Sequence, residues 1–265
     1  MNRLEDKVAL VLGAASRDNM GQDIARRFGA EGARVVVAGR DLDELNRLAD
    51  EIGGSAVRCD ITRRAELDAA VAHAREWGGR LDVAVNAAGW GLSKGFLETD
   101  EAELDRMLAL QFKGPFMFFQ AVLRGMEEGG SIIQISSATT QALIENYAAY
   151  IGTKAGIDHV VRCVANEFGA RGIRANSISP GLTETPMTAG AVALPGLEAC
   201  FARHYPLGRL GNKADVAAAA VWLASDECFM TGENLQVNGG LLLRGNPSGA
   251  ELADAIQAAA ATVNA

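Results

Sequence analysis

The sequence predicts a single doubly wound α/β domain, with one mostly parallel sheet of seven strands and helices on both faces. Three observations carry that prediction. Short apolar runs alternate along the chain with longer segments whose apolar residues recur at helical spacing. The first run, Val8 to Leu12, opens into Gly13-Ala14-Ala15-Ser16 and then into a helical stretch, which makes a strand, a glycine turn and a helix. A later run, Ser131 to Ile135, closes on Ser136-Ser137, and sheets of this class build their sites at the carboxyl ends of parallel strands.

A chain of 265 residues with 49% apolar composition can bury one substantial core, and no Pro/Gly-rich linker divides it, so residues 1–265 read as one domain. The formal net charge of −8 argues against nucleic acid, whose phosphates demand a basic stripe, and makes an acidic carrier protein a less natural partner. Cys59, Cys163, Cys200 and Cys228 are widely spaced with no Cys-x-x-Cys pair. They read as reduced core residues, with neither a disulfide framework nor a metal site. Met1 to Lys7 is charged and the apolar run behind it is too short for a signal or a membrane span. The expected location is cytoplasmic.

In chain order, the glycine turn permits close backbone approach, and the N-terminus of the helix from about Gly21 to Glu31 offers N–H groups and a positive dipole end to a pyrophosphate. Arg34 to Ala38 is the second strand and ends at Gly39-Arg40; Ala56 to Cys59 is the third, followed by Asp60-Ile61. Arg63 to Trp77 is a covering helix with His73 on its surface. Leu81 to Val85, the fourth strand, ends in the small residues Asn86-Ala87-Ala88-Gly89. Asp100 to Glu103 forms a capping-box start, and the helix from there to Met126 is apolar almost all round. Such a helix is buried on more than one side, so it packs on the sheet and on a second subunit of a symmetric dimer or tetramer. Ile173 to Ile178 is the sixth strand, with Pro180-Gly181-Leu182-Thr183-Glu184-Thr185 at its carboxyl edge. Met187 to Tyr205 reads as an irregular, mobile lid in which His204 is a packing or surface residue. Asn212 to Ser225 is a helix, Leu235 to Val237 the last strand, and about 250–263 an Ala-rich tail helix.

The candidate chemistry lies between Ser137 and Lys154. Tyr150 and Lys154 are four apart in a segment of helical composition, Ala148 to Phe168, so both project from one face. A Tyr-x-x-x-Lys pair alone also describes an ordinary surface contact. Ser137, at a strand end thirteen residues upstream of Tyr150, turns the pair into a site: an ammonium favours the phenolate, so the tyrosine can act as acid or base, while the serine holds a substrate oxygen.

Taken with Gly13-Ala14-Ala15-Ser16 and Gly21, Asp60, Asn86-Ala87-Ala88-Gly89, Asn176, Pro180-Gly181 with Thr185, and Asn238-Gly239-Gly240, this constellation resembles the short-chain dehydrogenase/reductase family from about Lys7 to Gly240. The resemblance implies a Rossmann-type fold and hydride transfer between C4 of a nicotinamide and a carbonyl or secondary alcohol carbon. It also implies that Tyr150 exchanges the proton, that Ser137 positions the oxygen, and that Lys154 lowers the tyrosine pKa and holds the nicotinamide ribose. By the same resemblance Gly13, Ser16, Arg17, Asn19, Met20 and Gly21 face the phosphates. Asp60 and Ile61 face the adenine, Asn86, Ala87, Ala88 and Gly89 lie beside the cofactor, and Pro180, Gly181, Thr183 and Thr185 hold the nicotinamide.

The chain departs from the family pattern at four places. Asn19 stands where a second glycine is expected and Arg17-Asp18 look inserted, which lengthens the loop. Ala87 replaces the commoner asparagine. Gly39 stands where NAD-preferring relatives place an acid; with no acid to repel a 2′-phosphate, and with Arg40 and Arg17 as donors, NADP(H) is expected over NAD(H). Gln111 occupies the position of an asparagine that completes a proton relay behind the lysine. Pro115, four residues on, has no N–H for the carbonyl of Gln111, so the helix must open or kink there, and a water between that carbonyl and Lys154 would carry the relay through the backbone. The expected substrate is a small, largely apolar ketone or alcohol lined by 91–97, 138–146 and 187–205, with Gln141, Glu145 and Asn146 as polar anchors. Two alternatives are a 3-oxoacyl-carrier-protein reductase, whose two basic carrier-facing positions fall on Glu128 and Arg171 here, and a catalytically silent cofactor-binding sensor.

Overall fold

The structure is a computed structural model and describes residues 2–263. Seven strands form one sheet: β1 (Val8–Leu12), β2 (Arg34–Gly39), β3 (Ser55–Arg58), β4 (Val83–Asn86), β5 (Gly130–Ile135), β6 (Ile173–Pro180) and β7 (Asn234–Val237). Their order is β3-β2-β1-β4-β5-β6-β7 and every neighbouring pair is parallel. The chain runs outward from β1 in one direction, then returns to β4 and runs outward in the other. The reversal opens a crevice at the carboxyl ends of β1 and β4, where Leu12 pairs with both Ala38 and Asn86.

Ten helices flank the sheet among the described residues: α1 (Met20–Ala30), α2 (Leu42–Ile52), α3 (Arg64–Gly78), α4 (Glu101–Leu108), α5 (Gly114–Gly125), α6 (Ala148–Phe168), α7 (Ala189–Val192), α8 (Leu197–His204), α9 (Lys213–Ala224) and α10 (Gly249–Val263). Alternate strand residues feed two separate cores. Leu10, Leu12, Val36 and Ile132 face Leu67 of α3, Phe118 of α5 and Ile157 of α6. Ala9, Val11, Val35 and Ile133 face Ile24 of α1, Leu48 of α2 and Val221 of α9. Burial on both faces explains why inner strands such as β1 and β4 read as apolar runs rather than alternating ones.

Helix starts follow side-chain caps. Asn19 accepts from Gln22 N at α1 and Asp41 from Glu44 N at α2. The expected capping box of Asp100 and Glu103 is present, and Asn212 with Asp215 forms a second at α9.

Two expectations need correction, and a third gains its form: the helix expected from Asp100 to Met126 opens ahead of Pro115, as that residue implied, in a π-turn at Ala109–Lys113, where Gly114 N–H reaches back to the carbonyl of Ala109. Pro115 is the cause: it cannot donate to the carbonyl of Gln111, and widening the preceding turn absorbs the missing bond. The lid is helical, since α7 and α8 occupy most of 187–205. Among the cysteines, all free, Cys163 is exposed rather than part of the core. None of the described helices is long and apolar enough to cross a membrane.

The turn after β1 depends on a glycine. Gly13 has φ +97°, and a Cβ there would lie 2.4 Å from the Ala88 nitrogen, a backbone atom that cannot yield. Gly53, which ends α2 at φ +64°, has open space around it. Gly13→Ala is therefore expected to lower stability by about 2–3 kcal/mol or more, while Gly53→Ala costs about 1 kcal/mol. Denaturant melts of the two variants check the difference.

Candidate active site

The end of β5 and one face of α6 are stitched together residue by residue. Lys154 Nζ donates to the carbonyl of Ile135 at 2.8 Å, and Ser136 Oγ donates to Asp158 Oδ2 at 2.7 Å. Ser137, next along, shares a 2.8 Å bond with Thr139 Oγ1 and accepts from Thr139 N at 3.2 Å, which fixes its rotamer. The structure thus brings Ser137, Tyr150 and Lys154 together at the carboxyl edge of the sheet.

Lys154 is 4% exposed. Burial pushes its ammonium down to about 8, against the opposing pull of Asp158, and the group remains a cation at neutral pH. Its nitrogen lies 5.8 Å from the centroid of the Tyr150 ring. The expected lowering of the tyrosine by the lysine is not what this arrangement produces. Burial drives the Tyr150 phenol above its ordinary value, a hydrogen bond with Ser137 partly offsets that, and the charges of Tyr147 and Asp158 add to the rise. Tyr150 is therefore a protonated acid at neutral pH.

The π-turn carries Gln111 into the same space. Its side chain is buried; Nε2 donates to Met107 Sδ at 2.8 Å and to Thr153 Oγ1 at 3.5 Å, and Oε1 accepts from Trp90 N at 3.4 Å. A Cβ on Gly89 would lie 3.1 Å from Gln111 Oε1 and 3.8 Å from Lys154 Nζ, so Gly89 is a bare backbone floor beside the ammonium. Met187, at the start of the lid, reaches over that floor: its Sδ would be 3.6 Å from a Cβ on Gly91.

The remaining predicted site residues divide into an open cradle and a set of supports. Ser16, Arg17 and Arg40 are exposed around the crevice, and neither arginine forms an ion pair among the described residues. Arg40, with Asp41, Leu42 and Asp43, borders an open depression of about 550 Å³. Burial disfavours the charge on Asp60, but bonds from Thr62 and the field of Arg40 outweigh it and hold the carboxyl below its ordinary value. Ile61 is buried against Gly114. Asn19 donates to the carbonyl of Gly13 while capping α1, which places Met20 and Gly21 in the first turn.

Several of the others support rather than face the crevice. Asn86 donates to Gln134 Oε1 at 2.8 Å and accepts from Ala88 N at 3.1 Å, a clamp that sets the course of Ala87 and Ala88. Thr183 is buried with its hydroxyl on the carbonyl of Gly181, and Thr185 shares its own with Thr188. Pro180 is the last residue of β6. Of the expected polar anchors, Gln141 lines a different cleft beside Asp158 and Arg162, and Glu145 turns toward Gly249. The main-chain carbonyl of Asn146 accepts from Lys94 N at 2.7 Å and ties two loops together.

Three residues packed at the site were given no individual role by sequence reasoning. Tyr205, 1% exposed, accepts from Leu182 N at 2.6 Å and fills the space beside Gly181, where a Cβ would meet its oxygen. Met187 and Asp158 are the others. The signal for Asp158 was present, since it continues the face of Tyr150 and Lys154 by one more turn.

A glycine floor beside a buried ammonium, a helix N-terminus and two exposed arginines with no ion pair among the described residues fit a phosphate-bearing dinucleotide chemically. The comparisons with known proteins agree with that class. A family model described as enoyl-(acyl carrier protein) reductase matches residues 13–242. D-threitol dehydrogenase of Mycolicibacterium smegmatis is 34% identical over 250 residues, covering 91% of this chain and 95% of that protein. The 7α-hydroxysteroid dehydrogenase of Escherichia coli is 36% identical over 246 residues, covering 90% and 95%. A short-chain type dehydrogenase/reductase from Mycobacterium ulcerans superposes with a TM-score of 0.88 at 31% identity, covering 96% of this chain and 98% of that one. The chain belongs to the short-chain dehydrogenase/reductase family. It is an oxidoreductase acting on CH–OH groups with a nicotinamide cofactor as acceptor, and the reading as a silent sensor gives way to an enzyme.

Proposed function

We propose that this enzyme interconverts a ketone and a secondary alcohol on a small, largely apolar substrate, with NADP(H) favoured over NAD(H). The observation that carries the reading is the convergence of Ser137, Tyr150 and Lys154 on one sheet edge, with Gly89 as open floor. When bound, the nicotinamide gives or accepts the hydride. Everything else falls to the chain. Ser137 Oγ, already held by Thr139, orients the substrate oxygen, and Tyr150 Oη gives it a proton in reduction; in oxidation the phenol first releases its own proton to solvent and then takes that of the alcohol. Lys154 supplies a fixed cation at that oxygen's side of the site and a donor for the ribose. The carbonyl of Gln111, which Pro115 leaves without its helical N–H, is the proposed solvent link behind Lys154.

A free substrate is favoured over a carrier-bound one. Arg171 spends its guanidinium on the carbonyls of Leu123, Met126 and Glu127 at the end of α5, and Glu128 has the wrong sign for an acidic carrier. A cytoplasmic location completes the proposal.

The acid role of Tyr150 is expected to show in Tyr150→Phe: turnover falls about a hundredfold or more while cofactor affinity, measured by fluorescence titration, stays near wild type. Near-normal turnover would sink the assignment. A panel of steroids, aromatic ketones and cyclic diols with both cofactors identifies the substrate.

Cofactor preference rests on a pair of residues rather than one. A Cβ on Gly39 would lie 2.4 Å from Ala15 Cβ, so no acid fits at position 39 while Ala15 is present. Gly39→Asp alone is expected to lower the melting temperature and weaken both cofactors. Ala15→Gly combined with Gly39→Asp relieves the clash and shifts binding toward NAD(H). Tighter binding of NAD(H) than NADP(H) by the wild-type protein would overturn the preference.

The oligomer proposal also gains a surface. Leu104, Leu108 and Phe116 are 42%, 48% and 43% exposed, and with half-buried Phe112 they follow an i, i+4 stripe along α4, the π-turn and α5. A second copy of the same stripe is the expected cover, in a dimer or tetramer. Light scattering at micromolar concentration checks this, and a monomer mass refutes it.

A further inference from the structure

Asp158 is a half-buried carboxylate that the proposed chemistry does not use. It collects three donors and no acceptor: Ser136 Oγ and Asn234 Nδ2 on Oδ2, and Ser177 Oγ on Oδ1, each at 2.7 Å. Burial raises this carboxyl above its ordinary value, while the bonds from Ser177, Ser136 and Asn234 and the charge of Lys154 favour its ionised form. The partners lie at the end of β5, within β6 and at the start of β7, so one side chain of α6 gathers three strand edges. Ser136 is the neighbour of Ser137, and Asp158 stands one helical turn beyond Lys154 and two beyond Tyr150 on the same face.

We infer that Asp158 is a positioning residue, pinning the strand end that carries Ser137 to α6 and supplying the fixed negative charge against which Tyr150 and Lys154 are set. The consecutive contacts of Ile135 with Lys154 and of Ser136 with Asp158 leave Ser137 no freedom to slide relative to Tyr150. The electrostatic part has a definite sign. A negative charge disfavours the phenolate and favours the ammonium, so Asp158 raises both Tyr150 and Lys154. Facing Asp158 are Lys154, His159 and Arg162 from α6 and Glu233 ahead of β7; facing Tyr150 are Ser137, Tyr147, Lys154 and Asp158.

The inference rests on the proposed function only in taking Tyr150 as the proton-exchanging group, and its main test needs neither substrate nor cofactor. The chain has three tyrosines. Tyr147→Phe and Tyr205→Phe together leave Tyr150 as the one tyrosine of the chain, so the tyrosinate absorbance of that full-length double variant reports Tyr150. Adding Asp158→Asn is expected to lower that midpoint by about half a unit to one unit, the effect of one charge about 12 Å away along the helix. Ser136→Ala, which breaks the link without touching the charge, leaves the midpoint in place but lowers turnover of the substrate found by the panel about tenfold. An unmoved midpoint in Asp158→Asn overturns the electrostatic role, and full turnover in Ser136→Ala overturns the positioning role. Should Asp158→Asn not fold, Ser136→Ala decides. A midpoint that shifts while Tyr150→Phe keeps its turnover would fault the proposed function and leave Asp158's charge effect standing.

Discussion

The arrangement around the site depends on keeping the ammonium of Lys154 charged while it is almost wholly withdrawn from water. Burial of an unpaired cation is costly, and the usual outcome is loss of the proton. Here the carbonyl of Ile135 accepts one N–H and the negative charge of Asp158 opposes the desolvation. The result is a lysine brought down to about 8, still cationic at neutral pH yet close to its limit. Removing either partner would move it further. The geometry of β5 against α6 is thus an electrostatic requirement as much as a packing one.

The same cation shapes what surrounds it. Gly89 has no side chain to cover it, Gln111 turns a polar edge toward it, and Met187 closes over the gap with a thioether, a polarisable group that adapts to the shape beneath. The π-turn is the device that delivers Gln111. A regular helix through Pro115 would lose a hydrogen bond for nothing, whereas the widened turn converts that loss into a reoriented side chain at the site. Tyr150, by contrast, is stabilised in its protonated form, so acid and cation sit side by side without sharing a proton.

Much of this was legible in the sequence, and for identifiable reasons. Inner strands buried on both faces leave continuous apolar runs, so Gly130–Ile135 appears in the text of the chain almost to the residue, while the half-buried edge strands Ser55–Arg58 and Asn234–Val237 give shorter signals. Ser137, Tyr150 and Lys154 were legible because two of them share a helix face and the third ends a strand. Pro115 announced a break in its helix, though not that the break would be a π-turn. What stayed hidden were contacts between residues far apart in sequence that carry no pattern of their own. The collision of Ala15 with any side chain at Gly39, the three donors on Asp158 and the seat of Tyr205 beneath Leu182 are of this kind. Small residues gave the lid an irregular look, and tertiary packing overrode that propensity to make α7 and α8.

The lid owes its position to a third apolar cluster that does not touch the sheet's two cores. Ala138 and Ala142, just after Ser137, meet Leu197, Phe201 and Tyr205 of the lid and Leu241 near the end of the chain, with Leu252 of α10 packed against them. Polar contacts follow the same seam: Asn246 Nδ2 donates to the carbonyl of Ala142, and His204 Nδ1 lies 2.9 Å from the carbonyl of Gly245. Gly196 lets the backbone of α10 come so close that a Cβ there would stand 2.4 Å from the carbonyl oxygen of Ala255. The tail helix is therefore built into the lid. Any opening that lifts α8 must carry α10 with it or part this seam, and because Ala138 and Ala142 belong to the loop that follows Ser137, that motion is mechanically tied to the residue that holds the substrate oxygen.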